Sequence, residues 1–173
     1  MKFIRMTLPH DMKILSLSLG TRGAGVAILY HEQLIHWKTH AFNGRWSESK
    51  LKAILDRCER YILEYDISHV TIKIPPSSHH SKGLLLLLKR LTGLVKLRGC
   101  LVDCQTKADL KRFVPEAKNA ESLMSYIATR HPVLSFEYHR ERRGRQRYYL
   151  KMFEAVLAAE VYQRKLLVRK MIA

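Results

Sequence analysis

The stretch Leu15-Ser16-Leu17-Ser18-Leu19-Gly20-Thr21-Arg22-Gly23-Ala24-Gly25-Val26-Ala27-Ile28 decides how this chain folds. Its first part, preceded by Lys13 and Ile14, is short, apolar and alternates around Ser16 and Ser18. That is the pattern of a buried strand over 13–19. Gly20 to Gly23 makes a tight turn, and Gly25 to Tyr30 reads as a second strand. His31-Glu32-Gln33 turns the chain into a third, Leu34 to Phe42, where Leu34, His36, Lys38 and His40 alternate with Ile35, Trp37 and Thr39. Three strands joined by such short turns form an antiparallel meander. His36 and His40, sharing a face with Leu34 and Lys38, are expected on the open edge of the sheet.

Outward from the meander, Ser47 is a good N-cap with Glu48 near the positive end of the helix that follows. Leu51, Ile54, Leu55, Cys58, Tyr61, Ile62 and Tyr65 recur there at helical spacing. His69 to Ile74 is a fourth strand, ended by Pro75-Pro76. A polar loop, 77–81, leads to a helix from Ser81 to Leu97. It is apolar on most sides and is expected to be well buried. Cys100 to Cys104 is a fifth, short strand. Thr106 caps a helical stretch through Phe113, and Asn119 caps another through Thr129, with Pro132 ending it. His139 to Arg147 is a strongly basic loop, and a long helix runs from Tyr148 to Arg169. Right-handed crossovers then make strands one, four and five parallel. The fold class is α/β: a five-stranded mixed sheet, with an antiparallel meander of strands one to three and then parallel strands four and five, flanked by helices. Residues 12–173 are expected to form one domain, with 1–11 as an N-terminal extension.

Composition narrows the partners. Of 173 residues, 47% are hydrophobic, which excludes a disordered chain. Lys and Arg number 31 against 15 Asp and Glu, a formal net charge of +16. Such a field suits nucleic acid or another anionic surface, or it keeps a basic protein soluble by like charge. Cys58, Cys100 and Cys104 are odd in number and sparse, so no disulfide framework is implied. They read as small buried apolar residues in a reduced, cytoplasmic compartment. Residues 1–11 are too short and polar for a signal peptide. The run Leu84 to Leu88 is stopped by Lys89 and Arg90, so no membrane span is expected.

The opening strand and turn are similar to those of the RuvC/YqgF resolvase group within the ribonuclease H-like superfamily. Those proteins read hydrophobic-Gly-hydrophobic-Asp-x-Gly-(Ser/Thr)-(Lys/Arg), then two or three residues, then Gly and another apolar strand. Gly20, Thr21, Arg22 and Gly25 stand in that register. The element order extends the resemblance over about residues 13–165. It implies the ribonuclease H-like fold and a two-magnesium phosphodiester hydrolysis, whose hard cations require carboxylate oxygens. In the group these come from strand one, the end of strand four and the start of the last helix. Here Ser18 and Lys73 occupy the first two positions. Lys151-Met152-Phe153-Glu154-Ala155 resembles the last-helix Asp-x-x-Asp-Ala, so Lys151 replaces one acid and Glu154 retains the other. Asp103 resembles the Asp of a strand-five Asp-Glu-Arg motif, but Cys104 and Gln105 follow it. The Gly-Thr turn also resembles the first phosphate loop of actin and sugar-kinase ATPases, which need two such domains and a strand-one Asp.

The resemblance therefore implies a nucleic-acid-binding domain with a degraded metal site and no catalysis. No cofactor is expected. Magnesium or manganese enters only under the alternative of an active nuclease with an atypical site, drawn from Glu154, Asp103 and His79 or His80; with no third ligand evident, the two histidines read first as an exposed polar loop. A third reading is a structural or protein-interaction module. Lys73 and Lys151 either attract phosphate or pair with Glu154 as a salt bridge. The segment 138–149 interleaves Arg140, Arg142, Arg143, Arg145 and Arg147 with Tyr138, His139, Tyr148 and Tyr149. Arginine forks bind phosphates and aromatic rings stack on bases, so these residues, with Arg22 and Lys73, are the candidate contacts to DNA or RNA. A homodimer or a protein partner is open.

Overall fold

The computed structural model describes residues 11–144 and 147–172. The proposed extension, 1–11, lies outside these apart from Asp11, and so does Arg145. Five strands form one sheet: β1 (Lys13–Leu19), β2 (Gly23–Tyr30), β3 (Gln33–Ala41), β4 (His69–Lys73) and β5 (Leu101–Gln105), in the order β3-β2-β1-β4-β5. The β1–β2 and β2–β3 pairs are antiparallel, and β1–β4 and β4–β5 are parallel. The helices are α1 (Glu48–Glu64), α2 (Lys82–Leu97), α3 (Lys107–Phe113), α4 (Ala120–Arg130), α5 (Ser135–Arg143) and α6 (Leu150–Ile172). The side chains of Ser47, Ser81, Thr106 and Asn119 cap the first four, each accepting from a backbone N–H in the first turn.

Because side chains alternate across a strand, the buried sheet has two apolar faces. Leu15, Leu17, Leu19, Val26, Ile28, Val70 and Ile72 pack against Leu51, Ile54 and Cys58 of α1 and Leu87, Leu91 and Val95 of α2. The other face carries Ile14, Ala27 and Leu29, covered by α6 with α4 beside it. Ser16, Ser18, Thr71, Lys73 and Gln105 share the α6 face, so a strip of buried polar groups runs beneath that helix.

Four expectations are corrected. First, Leu34 does not share a face with His36. A bulge skips Ile35, with Ile28 opposite His36 and Leu29 opposite Leu34. It turns Leu34, with Trp37, toward the α6 side. Although β3 is an edge strand, His40 is buried and His36 half-buried, because tyrosines of α1 cover that face. Second, α2 buries a single stripe, Leu84, Leu87, Leu91 and Val95, and leaves Leu85 and Leu97 exposed. Third, Cys58 and Cys100 are buried, but Cys104 is exposed. Fourth, the basic segment is helical through Arg143: a 3-10 turn over Pro132–Leu134 leads straight into α5, and α6 begins at Leu150 rather than Tyr148. Among the described residues no helix is long and apolar enough to cross a membrane.

Candidate functional site

The parallel register of β1 and β4 sets Ser18 directly beside Lys73, and the antiparallel register sets it beside Gly25. All three face α6. Glycine at 25 is what brings the helix down: a Cβ there would lie 1.9 Å from the Lys151 carbonyl oxygen. With no side chain between, the first turns of α6 rest on the sheet, and Glu154 reaches the ends of β1 and β4.

There Glu154 Oε2 accepts a hydrogen bond from the Ser18 hydroxyl at 2.7 Å and is paired with the Lys73 ammonium at 3.0 Å. Ser18 is fully buried, and the Lys73 side chain is only 9% exposed. That ion pair is thus made largely without water, and its attraction must offset the desolvation of both groups. Lys151 completes the cluster from one turn earlier on α6. Its Nζ lies 3.4 Å from the Leu19 carbonyl, over the space a Cβ at Gly20 would occupy. Burial pushes the Lys151 ammonium down from its ordinary value. Glu154 opposes that shift and Lys73 adds to it.

This donor set does not fit two divalent cations. Hard cations take several oxygen ligands, most of them carboxylates. Here a single carboxylate, already held by a hydroxyl and an ammonium, faces two lysines. Among the described residues no three His, Cys, Asp or Glu side chains come together to hold a metal. Asp103 stands apart, 3.5 Å from Lys165, three turns further along α6. His79 and His80 lie on an exposed 3-10 turn after β4, with His80 Nε2 bonded to the Pro75 carbonyl.

The remaining candidates are exposed arginines on the β1–β2 turn, on α5 and just before α6. Arg22 is exposed in the β1–β2 turn, and Arg147 is exposed just before α6. Arg140, Arg142 and Arg143 are exposed on α5, where Arg142 lies 3.3 Å from Glu121 and over the Tyr138 ring, and Arg140 lies over Phe136. Buried Glu141 accepts from the Tyr149 N–H, tying the end of α5 to the start of α6.

No protein-family model and no curated protein sequence matches the chain. Among solved structures it is similar to Thermus thermophilus RuvC in complex with a Holliday junction substrate. The TM-score is 0.67 at 12% identity, over 89% of this chain and 96% of that one. The fold is ribonuclease H-like, of the RuvC type. A second structure of T. thermophilus RuvC gives the same TM-score and coverage at 11% identity. In the RuvC-type frame, Ser18, Lys73, Lys151 and Glu154 lie where β1, β4 and the last helix converge.

A second group of ionisable side chains escaped the sequence reading. His36, Lys38 and His40 on β3 meet Arg57, Arg60, Tyr61, Glu64 and Tyr65 on α1, around a cavity on the opposite side of the sheet. The signal was present as two polar periodicities: every second residue on the strand, and Arg57, Tyr61 and Tyr65 four apart on the helix.

Proposed function

We propose that this chain binds nucleic acid through a RuvC-like domain that does not hydrolyse phosphodiesters. The observation that carries the reading is the Lys73–Glu154 contact of 3.0 Å, with Ser18 on the same carboxylate oxygen at 2.7 Å. An ammonium in a metal's place supplies a fixed positive charge, repels a divalent ion and activates no water. The basic rim of Arg22, Arg140, Arg142, Arg143 and Arg147, together with the net charge of +16, supports a polyanionic partner. The T. thermophilus RuvC of like fold was solved with a Holliday junction, which makes four-way junctions the first ligand to try. Free cysteines accord with a cytoplasmic setting.

The test pairs binding with cleavage. Labelled junction, duplex and single-stranded substrates are incubated with the protein in magnesium and in manganese. Retention without product is expected. Metal-dependent cleavage that vanishes in Glu154→Gln would overturn the reading in favour of an active nuclease with an atypical site. Absence of binding at low salt would favour a protein-interaction module.

A further inference from the structure

The cavity between β3 and α1 has a volume of about 290 Å³ and is lined by His36, Lys38, His40, Arg57, Arg60, Tyr61, Glu64 and Tyr65. Its polar groups form one hydrogen-bonded chain. Arg57 Nη1 lies 2.6 Å from His40 Nδ1, His40 Nε2 lies 2.7 Å from the Tyr61 hydroxyl, that hydroxyl lies 3.3 Å from His36 Nε2, and His36 Nδ1 lies 3.1 Å from the Tyr65 hydroxyl. A guanidinium has only donors, so the direction of the first two bonds is fixed from that end. His40 Nδ1 accepts from Arg57, which puts the His40 proton on Nε2, donating to Tyr61. With the Tyr61 proton given to His36 Nε2, His36 Nδ1–H donates to Tyr65. The Tyr65 hydroxyl proton is left over at the far end.

In this arrangement both histidines are neutral. Burial pushes each down from its ordinary value, His40 to about 4, with Arg57 and Lys38 adding to the effect at His40. The charge of the lining at neutral pH is that of three exposed cations, Lys38, Arg57 and Arg60, against one carboxylate, Glu64. A surplus of two positive charges, with spare N–H groups on the guanidinia and a spare hydroxyl on Tyr65, suits a compact dianion with several acceptor oxygens. A phosphate monoester carries close to two negative charges at pH 7, whereas a backbone phosphodiester carries one. Charge-assisted bonds from arginine to phosphate are among the strongest in proteins. The volume lies at the small end of ligand pockets and admits a phosphate group with part of the compound that carries it.

We propose that this cavity binds a phosphate monoester, with Lys38, Arg57 and Arg60 neutralising the dianion and the Tyr65 hydroxyl completing its hydrogen bonds. The site is independent of the Ser18–Lys73–Glu154 cluster, which lies beneath α6 on the other face of the sheet. Its occupant is either the terminal phosphate of a nucleic-acid strand or a small phosphorylated compound.

The test uses the full chain and inorganic phosphate. The ring signals of His36 and His40 are followed by NMR during a phosphate titration at constant ionic strength, with chloride as the control. Saturable shifts with phosphate and none with chloride are expected. In Lys38→Ala/Arg60→Ala, which leaves the internal hydrogen-bonded chain intact, the midpoint should rise at least about tenfold, since two of the three cations are removed. The melting temperature should be unchanged, since both residues are exposed. Tyr65→Phe should weaken phosphate while leaving the Arg57–His40–Tyr61 segment in place. Two oligonucleotides, alike except for a terminal phosphate, identify the source. Tighter binding of the phosphorylated strand, lost in the double variant, assigns a strand end. Equal binding of the two, with the inorganic phosphate shifts retained, assigns a small compound. A dissociation constant above about 10 mM for phosphate, or shifts unaltered in the double variant, overturns the proposal. Neither result depends on whether the chain cleaves or binds unphosphorylated nucleic acid.

Discussion

Two glycines with opposite surroundings show how single residues set the candidate site. A Cβ on Gly25 would collide with the Lys151 carbonyl at 1.9 Å, and backbone cannot swing aside as a side chain can. Gly25→Ala must lift α6 from β2, separating Glu154 from Ser18 and Lys73. We expect a loss of about 3 kcal/mol, the upper range for overpacking a tight contact. Gly93, inside α2, has nothing within 4 Å of the same added atom. Gly93→Ala should stabilise by up to about 1 kcal/mol, because alanine is the better helix former. Urea unfolding midpoints of the two variants check both signs; equal midpoints would remove Gly25 as the reason for the close approach. The role of Gly25 was partly legible, since its spacing after the Gly20 turn carried the resemblance. The Ser18–Lys73 juxtaposition was expected from the resemblance, and the parallel register of β1 and β4 produces it. The His36–Tyr61–His40 chain was not legible, because the bulge at Ile35 moves Leu34 off the histidine face, and because its partners on α1 lie more than twenty residues away.

At the scale of elements, α4 is fastened to α6 through a buried carboxylate. Glu160 is bonded to His131 at 2.7 Å and accepts both of its oxygens' bonds from Arg130 Nε at 2.9 Å, with Arg164 at 3.9 Å. Burial alone would push the Glu160 carboxyl up, but the hydrogen bonds from His131 and Arg130 outweigh it and hold the carboxyl below its ordinary value of 4.5. A carboxyl depressed in the fold takes its proton first in the unfolded chain. Its contribution is complete above pH 4.5 and is lost as the pH falls through the depressed value. Glu160→Gln should cost about 2 kcal/mol at neutral pH, the usual penalty for stranding buried partners, and should flatten the acid limb of the stability curve below pH 4.5. Denaturant melts of both proteins across that range decide it; parallel curves would mean that the carboxylate contributes nothing. Of these elements, α4 was legible from Asn119 and its apolar face. The helix α5 was not, because it buries only Glu141 and shows no apolar period, so its arginines read as a loop. What holds it is tertiary: Trp37 donates to Glu137 at 2.8 Å, and Tyr138 meets Phe153 edge to face.

Over the whole molecule, charge and topology divide the surface between two sites. The sheet separates the Ser18–Lys73–Glu154 cluster under α6 from the cavity under α1, so each can be altered without touching the other. The arginines of α5 lie on a helix rather than a loop, which sharpens the test of binding. Alanine is the best helix former, so Arg140→Ala/Arg143→Ala, with Arg147→Ala beside them, removes three exposed charges and keeps the element that carries them. A protein of net charge +16 releases counterions when it meets a polyanion, and the logarithm of its affinity should fall linearly with the logarithm of salt, by about 0.9 per phosphate neutralised on duplex DNA. The triple variant should lower that slope by about one per lost contact and weaken binding evenly across sequences. Phosphate binding at His36 and His40 should not change, since none of the three residues lines that cavity. Affinities measured over a series of salt concentrations check the slope, with the histidine NMR signals as the internal control. An unchanged slope would make the α5 arginines a solvated face and move the contact to Arg22 and the lysines. A reduced slope with unaltered phosphate shifts would establish that the molecule holds a strand on one face of its sheet while the other remains free for a phosphate.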